Sequence, residues 1–302
     1  MSHLDELILL CEKYNCRYKL DESLKNHTTF KIGGNCRIAV FINSEEAAVQ
    51  ISWLCRKRKI RFAVIGNGSN IIADDSDFNG AVLILGNDFS SISNIEDGVI
   101  ECESGIMLTK FCTAVMQQEL TGMEFAYGIP GTVGGALYMN AGAYGGQISD
   151  VVISADYIDT DGTVKTIQKE NMDLAYRHSV FMNSDRIILR VRFRLQKGNI
   201  TEIEQRMNDL LSRRREKQPL NYPSAGSTFK RPDGAFAAAL IEGCGLKGFS
   251  VGGAQVSEKH SGFVINKGNA TFDDIMKLVD KVKEKVKADT GYELELEPEI
   301  LK

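Results

Sequence analysis

Residues 128–150, GIPGTVGGALYMNAGAYGGQISD, contain seven glycines in a span whose composition is too ordered for a flexible linker. Glycine has no Cβ, so it reaches positive φ and lets a ligand approach the main chain closely. The stretch lacks the serine, glutamate and lysine bias of disordered segments. It indicates either main-chain N–H groups gathered around an anion or a glycine-rich corner packed against a sheet.

A second turn, GNGSN at residues 66–70, follows an apolar segment that predicts a strand over residues 62–65. Its small and polar residues predict main-chain donors that converge on an anion the size of a phosphate, and we expect the glycine stretch to form the second wall. The turn fails the dinucleotide fingerprint, because Ile71 stands at the third glycine position and no helix pattern follows. The other match, residues 243–248, follows a helix pattern instead of a strand, and the chain has no P-loop motif.

Composition restricts the class of protein. The 302 residues are 43% hydrophobic and 25% charged with a net charge of −4, which argues against a nucleic-acid or membrane-surface binder. No apolar run is long enough to span a bilayer and the first residues lack the basic region of a signal peptide, so we expect a cytoplasmic protein. The seven cysteines form no C-x-x-C pair and the four histidines are dispersed, so we expect reduced, partly buried thiols and no metal.

Periodicity and capping signals indicate an α+β fold. Helices are predicted to start at the caps Ser2, Ser44, Thr201 and Thr271, and another helix is predicted over residues 108–116. Strands are predicted over residues 37–42, 62–65, 81–85, 99–103, 151–159, 163–167, 186–195 and 293–302, the last one interrupted at Pro298. Strands mixed with few helices and joined by tight turns favour α+β over a doubly wound sheet. A change of composition after residues 197–199 predicts a domain boundary.

Two polar residues stand in unusual surroundings. Arg177 lies in LAYRHSVF, residues 174–181, where it indicates either a clamp for a carboxylate or phosphate or a surface arginine stacked on a ring. Ser227 lies in PSAGSTFKRP, residues 223–232, with basic residues on both sides, which favours a pocket for an anionic substrate. The alternative is that the basic residues 213–217 only complement a solvated helix end. Ser227 has no histidine or aspartate close to it in sequence, so the pattern does not indicate a hydrolase nucleophile.

Six segments occur in the order and approximate spacing of the UDP-N-acetylenolpyruvoylglucosamine reductase family, which the chain resembles over nearly its whole length: NHTTFKIGG, VIGNGSN, GIPGTVGGALYMNAGAYG, AYRHSVF, SAGSTFKRP and LEPEI. One such segment alone is weak evidence, whereas six in register are specific. The short span after Arg177 resembles the form of the enzyme that lacks an extra substrate-covering tyrosine loop.

The resemblance implies an architecture and a reaction. Residues 1–25 form an N-terminal helix, 26–198 a two-lobed FAD-binding domain of the vanillyl-alcohol-oxidase (PCMH) type with lobes at about 26–86 and 87–198, and 199–302 a substrate-binding domain. The implied cofactor is noncovalent FAD, the reductant NADPH and the substrate UDP-N-acetylglucosamine enolpyruvate. Such an enzyme serves peptidoglycan synthesis, and we expect a monomer.

The resemblance also implies residue roles. Hydride addition beside the substrate carboxylate builds negative charge, which a preorganised Arg177 stabilises more in the transition state than in the ground state. Glu299 is the second electrophilic group, which must be protonated or hydrogen-bonded for that role, and Ser227 protonates the carbon next to the one that takes the hydride. Substrate contacts are expected from Lys217, Lys230 and Arg231, although many relatives have asparagine in place of Arg231. The implied FAD contacts are Thr29, Gly33, Gly66, Asn67, Gly68, Ser69, Asn70, Gly128, Pro130, Gly131, Gly134, Gly135, Asn140, Gly142 and Ala143.

Two rival functions make different demands on these residues. A covalent-flavin oxidase of the same fold needs histidine or cysteine in the phosphate turn, where this chain has Ser69. A catalytically silent nucleotide-binding protein is expected to lose Arg177, Ser227 or Glu299, and all three are present. Both observations favour the reductase.

Overall fold

The computed structural model describes residues 2–302 of the chain. Within these residues the seven α-helices are α1 (His3–Lys13), α2 (Glu45–Arg58), α3 (Leu108–Met116), α4 (Val133–Tyr138), α5 (Ile200–Lys217), α6 (Ala237–Gly243) and α7 (Phe272–Thr290). The strands are β1 (Arg17–Ser23), β2 (Asn35–Ile42), β3 (Phe62–Ile65), β4 (Ile71–Ala73), β5 (Phe78–Leu85), β6 (Ile92–Glu96), β7 (Val99–Glu103), β8 (Leu120–Thr121), β9 (Gly142–Ala143), β10 (Gly146–Gln147), β11 (Val152–Ile158), β12 (Val164–Gln168), β13 (Ile187–Arg194), β14 (Gln196–Lys197), β15 (Ser250–Val251), β16 (Ala254–Val256), β17 (Val264–Asn266) and β18 (Glu299–Leu301). This content confirms the α+β class.

The chain forms two compact units. Unit 1 comprises residues 2–20, 38–67 and 80–212, and unit 2 comprises residues 21–37, 68–79 and 213–302. The chain therefore passes from unit 1 to unit 2 after Asn67, inside the GNGSN turn. The functional domain limits given above, 26–198 and 199–302, remain a prediction.

Unit 1 contains a five-stranded antiparallel sheet in the order β12–β11–β13–β7–β6. Strand β13 has the predicted alternation, because its apolar side chains are buried and Arg190 and Arg192 face the other way. The apolar face packs on α3 and α4, with the rings of Phe111 and Phe193 centred 4.9 Å apart. A second core lies around α1 and α2, against the four-stranded sheet whose order is β1–β2–β5–β3.

Unit 2 is organised around α7, whose apolar stripe is fully buried against β15 and β16. Five side chains form the stripe: Ile275, Leu278, Val279, Val282 and Val286. Burial of such a side chain contributes roughly 1.5–3 kcal/mol relative to exposure, so this helix is the main anchor of the unit. Ile72 of β4 and Phe30 join the same core, which explains why short N-terminal segments belong to unit 2.

Most predicted helix starts are confirmed. Ser2 and Thr271 form capping boxes, the Ser44 hydroxyl accepts from the Ala47 N–H, and Gly291 ends α7 with φ 77°. These caps are readable from sequence because the hydroxyl and its N–H partner lie within three residues of each other.

The predicted capping box at Thr201 is wrong. Asn199 Oδ1 accepts from the N–H groups of Thr201 and Glu202 at 2.9 and 3.2 Å, so Asn199 is the residue that caps α5. Asparagine is at least as good an N-cap as threonine, and here it precedes the helix that Ile200 begins. The helix starts earlier than its apolar spacing alone indicates.

The predicted last strand is confirmed only after its interruption at Pro298. The strand β18 begins at Glu299 and pairs in parallel with β4, whereas residues 293–297, the first part of the predicted span, form no regular strand. Within this first part, only Leu296 forms an isolated bridge, with Phe229. Pro298 lacks an N–H donor, so regular pairing starts only after it.

All seven cysteines are free thiols, and six of them are buried. Burial raises the pKa of Cys36 to about 11 and that of Cys55 to about 12. These thiols pack as small apolar side chains, in agreement with the predicted reduced state.

Candidate active site

In unit 1, the start of the GNGSN turn lies directly against the glycine stretch. A Cβ added to Gly66 would lie 2.2 Å from the Thr132 hydroxyl oxygen. The Asn67 side-chain amide donates to the Pro130 carbonyl at 2.7 Å. Only glycine allows this approach at residue 66, and the two segments adjoin as the sequence predicted.

The glycine stretch itself contains a short helix that was not predicted. Thr132 caps α4 by accepting from the Gly135 N–H, and a Cβ on Gly134 would lie 2.6 Å from the Cβ of Ser104. Part of the stretch is therefore a packed corner, which was one of the two readings of its glycines. Gly145 differs, because an added Cβ would meet no atom within 4 Å.

In unit 2, the second half of the turn is fixed by the segment NHTTFKIGG. Gly68 has φ 59°, and an added Cβ would lie 2.0 Å from the His27 carbonyl oxygen. The Thr29 N–H donates to the Gly68 carbonyl at 3.2 Å, and the Thr29 hydroxyl donates to the Ser224 carbonyl at 2.7 Å. Thr29 thus joins the turn to the loop that carries Ser227.

The loop around Ser227 is held by main-chain hydrogen bonds. The Thr228 N–H donates to the Gly262 carbonyl and the Lys230 N–H to the Glu295 carbonyl, at 2.8 and 2.9 Å. The Glu297 N–H donates to the Thr228 carbonyl at 3.0 Å. This bond and the bond from Lys230 to Glu295 lie on either side of the antiparallel bridge between Phe229 and Leu296. In this register Ser227 stands opposite Pro298, one residue before Glu299.

Glu299 is fixed by the residue that ends the phosphate turn. Its N–H donates to the Asn70 carbonyl at 2.9 Å, and the Asn70 side-chain amide donates to the Glu297 carbonyl at 3.3 Å. Asn70 therefore makes hydrogen bonds to the main chain on both sides of Pro298. Asn70, Glu299 and the loop that carries Ser227 all belong to unit 2.

The predicted substrate-binding cations have different surroundings in unit 2. Lys217 is exposed at the end of α5, and the Lys230 ammonium lies 3.3 Å from Glu295. The Arg231 guanidinium lies over the ring of Phe236, 4.8 Å from its centroid. These groups surround the Ser227 loop in sequence, and their contact with a substrate remains a prediction.

Arg177 belongs to unit 1 and has a left-handed backbone, with φ 53°. Ala175 and His178 form a bridge on either side of it, and its guanidinium lies 5.3 Å from the centroid of the Tyr176 ring. A non-glycine residue at positive φ is uncommon, and such strain concentrates at functional sites. The ring contact agrees with the interpretation as a stacked arginine, and the clamp for a carboxylate or phosphate stays a prediction.

Sequence reasoning missed two supporting threonines. Thr132 caps α4, and the apolar residues after it were a usable signal. The Thr228 hydroxyl accepts from the Val264 N–H at 2.8 Å, a pairing between residues 36 positions apart. No local pattern reveals such a partner.

Comparisons with known proteins give the family. The sequence model of the UDP-N-acetylenolpyruvoylglucosamine reductase C-terminal domain matches residues 218–301, and that of an FAD binding domain matches residues 36–168. The chain is 46% identical over 280 residues to the UDP-N-acetylenolpyruvoylglucosamine reductase of Clostridium novyi, which covers 92% of this chain and 90% of the relative. The chain belongs to the UDP-N-acetylenolpyruvoylglucosamine reductase family.

Solved structures agree with this membership. The UDP-N-acetylenolpyruvylglucosamine reductase of Thermus caldophilus superposes with a TM-score of 0.77 at 29% identity, covering 95% of this chain and 99% of the other. An alkyldihydroxyacetonephosphate synthase shares the fold alone, with a TM-score of 0.51 at 16% identity, over 64% of this chain and 40% of the other. The reductase is thus an FAD-dependent oxidoreductase of peptidoglycan synthesis, with a PCMH-type FAD domain and NADPH as reductant.

The turn of the reductase fits the pyrophosphate of FAD on chemical grounds. Within unit 2, the main-chain N–H groups of Gly68 and Ser69 donate to no main-chain carbonyl among residues 2–302. Successive main-chain donors in such a turn form an anion-binding concavity. A Cβ at Gly68 would fill space already taken by His27, so the close main-chain course depends on glycine.

Metal-binding clusters and membrane-spanning helices are both absent from residues 2–302. No three or more histidine, cysteine, aspartate or glutamate side chains gather in a way that suits a metal ion. No helix there is both long and apolar enough to cross a bilayer.

Proposed function

We propose that the reductase converts UDP-N-acetylglucosamine enolpyruvate to UDP-N-acetylmuramate with a preference for NADPH over NADH. When bound, FAD supplies the hydride that adds to the terminal vinyl carbon. Main-chain donors of the GNGSN turn hold its pyrophosphate, and the glycine stretch lies beside the cofactor. The enzyme acts as a cytoplasmic monomer.

Arg177 binds the carboxylate of the enolpyruvyl group. Its planar guanidinium donates two parallel hydrogen bonds, which fixes the orientation of the carboxylate and stabilises the charge that develops on it. The left-handed turn and the Tyr176 ring limit the conformations of this side chain, and that supports the role. A held donor is worth more in the transition state than a mobile one.

Ser227 delivers a proton from its hydroxyl to the carbon next to the one that takes the hydride. Atoms then balance, because the double bond gains one hydride and one proton. Glu299, protonated or hydrogen-bonded, assists at the substrate carboxylate. A serine hydroxyl is a weak acid, so nearby cations such as Lys230 favour its deprotonated form after the transfer.

The observation that carries this proposal is the pairing of residues 228–230 with 295–297. That pairing ends one residue after Ser227 and two residues before Glu299, so it fixes the course of both segments within unit 2. A proton donor and an electrophilic group must both reach one small enolpyruvyl group, and segments fixed against each other support the assignment.

A visible absorption spectrum of the purified protein tests the proposal. Under anaerobic conditions, flavin bands should bleach with NADPH and return on addition of UDP-N-acetylglucosamine enolpyruvate. Bands that return only with oxygen would indicate an oxidase and overturn the assigned acceptor. Equal rates of bleaching with NADH and NADPH would overturn the nucleotide preference alone.

A further inference from the structure

Asn140 is a buried polar residue in the glycine stretch, with 2% of its surface exposed. Its side-chain amide donates to the Ala175 carbonyl at 2.9 Å, and its side-chain oxygen accepts from the Ser149 N–H at 2.9 Å. A longer bond of 3.4 Å runs to the Gln147 side chain. A buried amide with this many partners fixes the segments that it joins.

The segment held by Asn140 is the turn around Arg177. The Ala175 carbonyl also accepts from the His178 N–H at 3.1 Å, so its two acceptor positions close the turn and receive Asn140. The Ser179 hydroxyl donates to the Tyr138 carbonyl, which ties the other end of the turn to the same stretch. Arg177 thus stands between two anchors that both come from residues 138–140.

The donors of Asn140 are already in use. Both amide hydrogens point to protein acceptors, and its main-chain N–H donates to the Leu137 carbonyl at 3.1 Å. An asparagine amide has two donor hydrogens and an oxygen with two lone pairs, so only an acceptor position is left. An acceptor repels a pyrophosphate, so binding FAD through this side chain would break bonds that the structure makes.

We propose that Asn140 is a positioning residue for Arg177 in the reduction of the enolpyruvyl substrate, and this inference rests on the function proposed above. Its backbone has φ 44°, a conformation that asparagine adopts more readily than most residues. Asparagine is also the side chain of this size that donates to Ala175 and accepts from Ser149. Aspartate would keep the acceptor but set a carboxylate against a carbonyl.

The test is the exchange Asn140→Asp alone and combined with Arg177→Ala. We expect Asn140→Asp to slow reoxidation by the enolpyruvyl substrate about 10- to 100-fold, because a displaced Arg177 loses its alignment with the carboxylate. The FAD dissociation constant, measured by flavin fluorescence, and the rate of reduction by NADPH should stay within about twofold of wild type. In the Arg177→Ala background, Asn140→Asp should cause no further loss, since the two exchanges act through one group.

The matched control is Asn183→Asp. Asn183 is exposed in unit 1 and also has a left-handed backbone, with φ 56°. The same chemical change there should leave both half-reactions unaltered. Should Asn140→Asp fail to fold, Ser179→Ala removes the second anchor, and the same cycle with Arg177→Ala decides the question.

Two outcomes would overturn the inference. A loss of FAD affinity that matches the loss of rate would make Asn140 a cofactor contact. Additive losses in the double variant would show that Asn140, or Ser179 in the second cycle, acts without Arg177. Failure of the proposed function has a different signature, because then the wild-type flavin would not be reoxidised by the enolpyruvyl sugar at all.

Discussion

The turn that carries Arg177 and the loop that carries Ser227 differ in how far side chains hold them. Around Arg177, the Asn140 amide and the Ser179 hydroxyl donate to main-chain carbonyls, in addition to the main-chain bridge between Ala175 and His178. Around Ser227, main-chain bonds from the N–H groups of Thr228, Lys230 and Glu297 outnumber the bonds made by the Thr29 and Thr228 hydroxyls.

This difference predicts how each region responds to substitution. A turn held by side chains loses its shape when one of those side chains is changed. A loop held by main-chain bonds keeps its course when a side chain is replaced, because the donors and acceptors are common to all residues except proline. We therefore expect a substitution at Ser227 to change the reaction but not the course of the loop, and substitutions around Arg177 to change both.

The largest effect is expected from Ser227→Ala. General-acid catalysis contributes about 10²- to 10⁴-fold, so reoxidation by the enolpyruvyl substrate should slow by about 10³-fold, or about 4 kcal/mol of barrier. Flavin reduction by NADPH and the thermal midpoint should stay nearly unchanged, because the hydroxyl is not part of the main-chain pairing. Stopped-flow absorbance measures the two half-reactions separately.

Ser224→Ala is the matched control for Ser227→Ala. Its carbonyl, which any residue supplies, is the group that accepts from Thr29. Equal losses in both half-reactions of Ser227→Ala would contradict the assigned proton transfer. A large drop in thermal stability would contradict the expectation that the loop keeps its course.

A second prediction compares the two halves of the phosphate turn through Gly68→Ala and Gly66→Ala. Gly68 has φ 59°, and an added Cβ would lie 2.0 Å from the His27 carbonyl oxygen, so alanine there should lower the free energy of unfolding by at least about 3 kcal/mol. A Cβ added to Gly66 would lie 2.2 Å from the Thr132 hydroxyl oxygen. The Thr132 side chain can rotate away, which removes the cap of α4 and costs about 1 kcal/mol. Urea unfolding measures both.

Gly145→Ala is the control for backbone strain alone. Gly145 has φ 89° and no atom within 4 Å of an added Cβ, so its loss should be about 1–2 kcal/mol. Combining Gly66→Ala with Thr132→Ala should cost little beyond Thr132→Ala. If Gly66→Ala proves as damaging as Gly68→Ala, the two halves of the turn are equally rigid and the comparison fails.

A smaller effect than that of Gly68→Ala is expected at Asp156, in the five-stranded sheet of unit 1. Its carboxylate accepts from Arg192 at 2.6 and 3.0 Å and from the Thr166 hydroxyl at 2.7 Å. Asp156→Asn should lower the free energy of unfolding at pH 7 by about 2 kcal/mol, typical of a charged hydrogen bond. This exchange tests whether the sheet of unit 1 is also stabilised by side-chain hydrogen bonds.

The pH dependence of this effect has a definite sign. Burial raises the pKa of Asp156, but the bonds from Arg192 and Thr166 outweigh it and bring that pKa below its ordinary value of 3.8. The stabilisation is therefore complete above the ordinary pKa and is lost as the pH falls through the folded value. The free energies of unfolding in urea of wild type and variant should converge as the pH falls below 3.8 and through the folded pKa, whereas exchange of the exposed Asp97 to asparagine should leave the value at pH 7 unchanged. A gap that persists at low pH would contradict the assignment.

Sequence was a good guide wherever the decisive contacts are local. The caps of α1, α2 and α7 follow from residues within one turn, and the alternation of β13 follows from its own side chains. It failed at Asn199 because two neighbouring polar residues both suit a cap. At the carboxyl end it predicted a strand and its interruption at Pro298, but not the pairing of β18 with β4, which lies more than two hundred residues away.

The candidate site was predictable as residue types and not as geometry. Glycines and polar residues marked the turn and the stretch, and the order of six segments indicated the family. The pairing of residues 228–230 with 295–297, and the bonds from Asn70 and Asn140, join residues far apart in sequence. No periodicity or spacing carries that information.

The buried thiols provide a way to measure local unfolding of this protein. Burial raises the pKa of Cys11 and of Cys55 to about 12, so at pH 7 only about one molecule in 10⁵ presents either as a thiolate. Alkylating reagents should therefore modify these positions only when the surrounding core opens. Cys55 belongs to unit 1 and Cys36 to unit 2, so mass spectrometry of the alkylated peptides would time the opening of each unit without any introduced label.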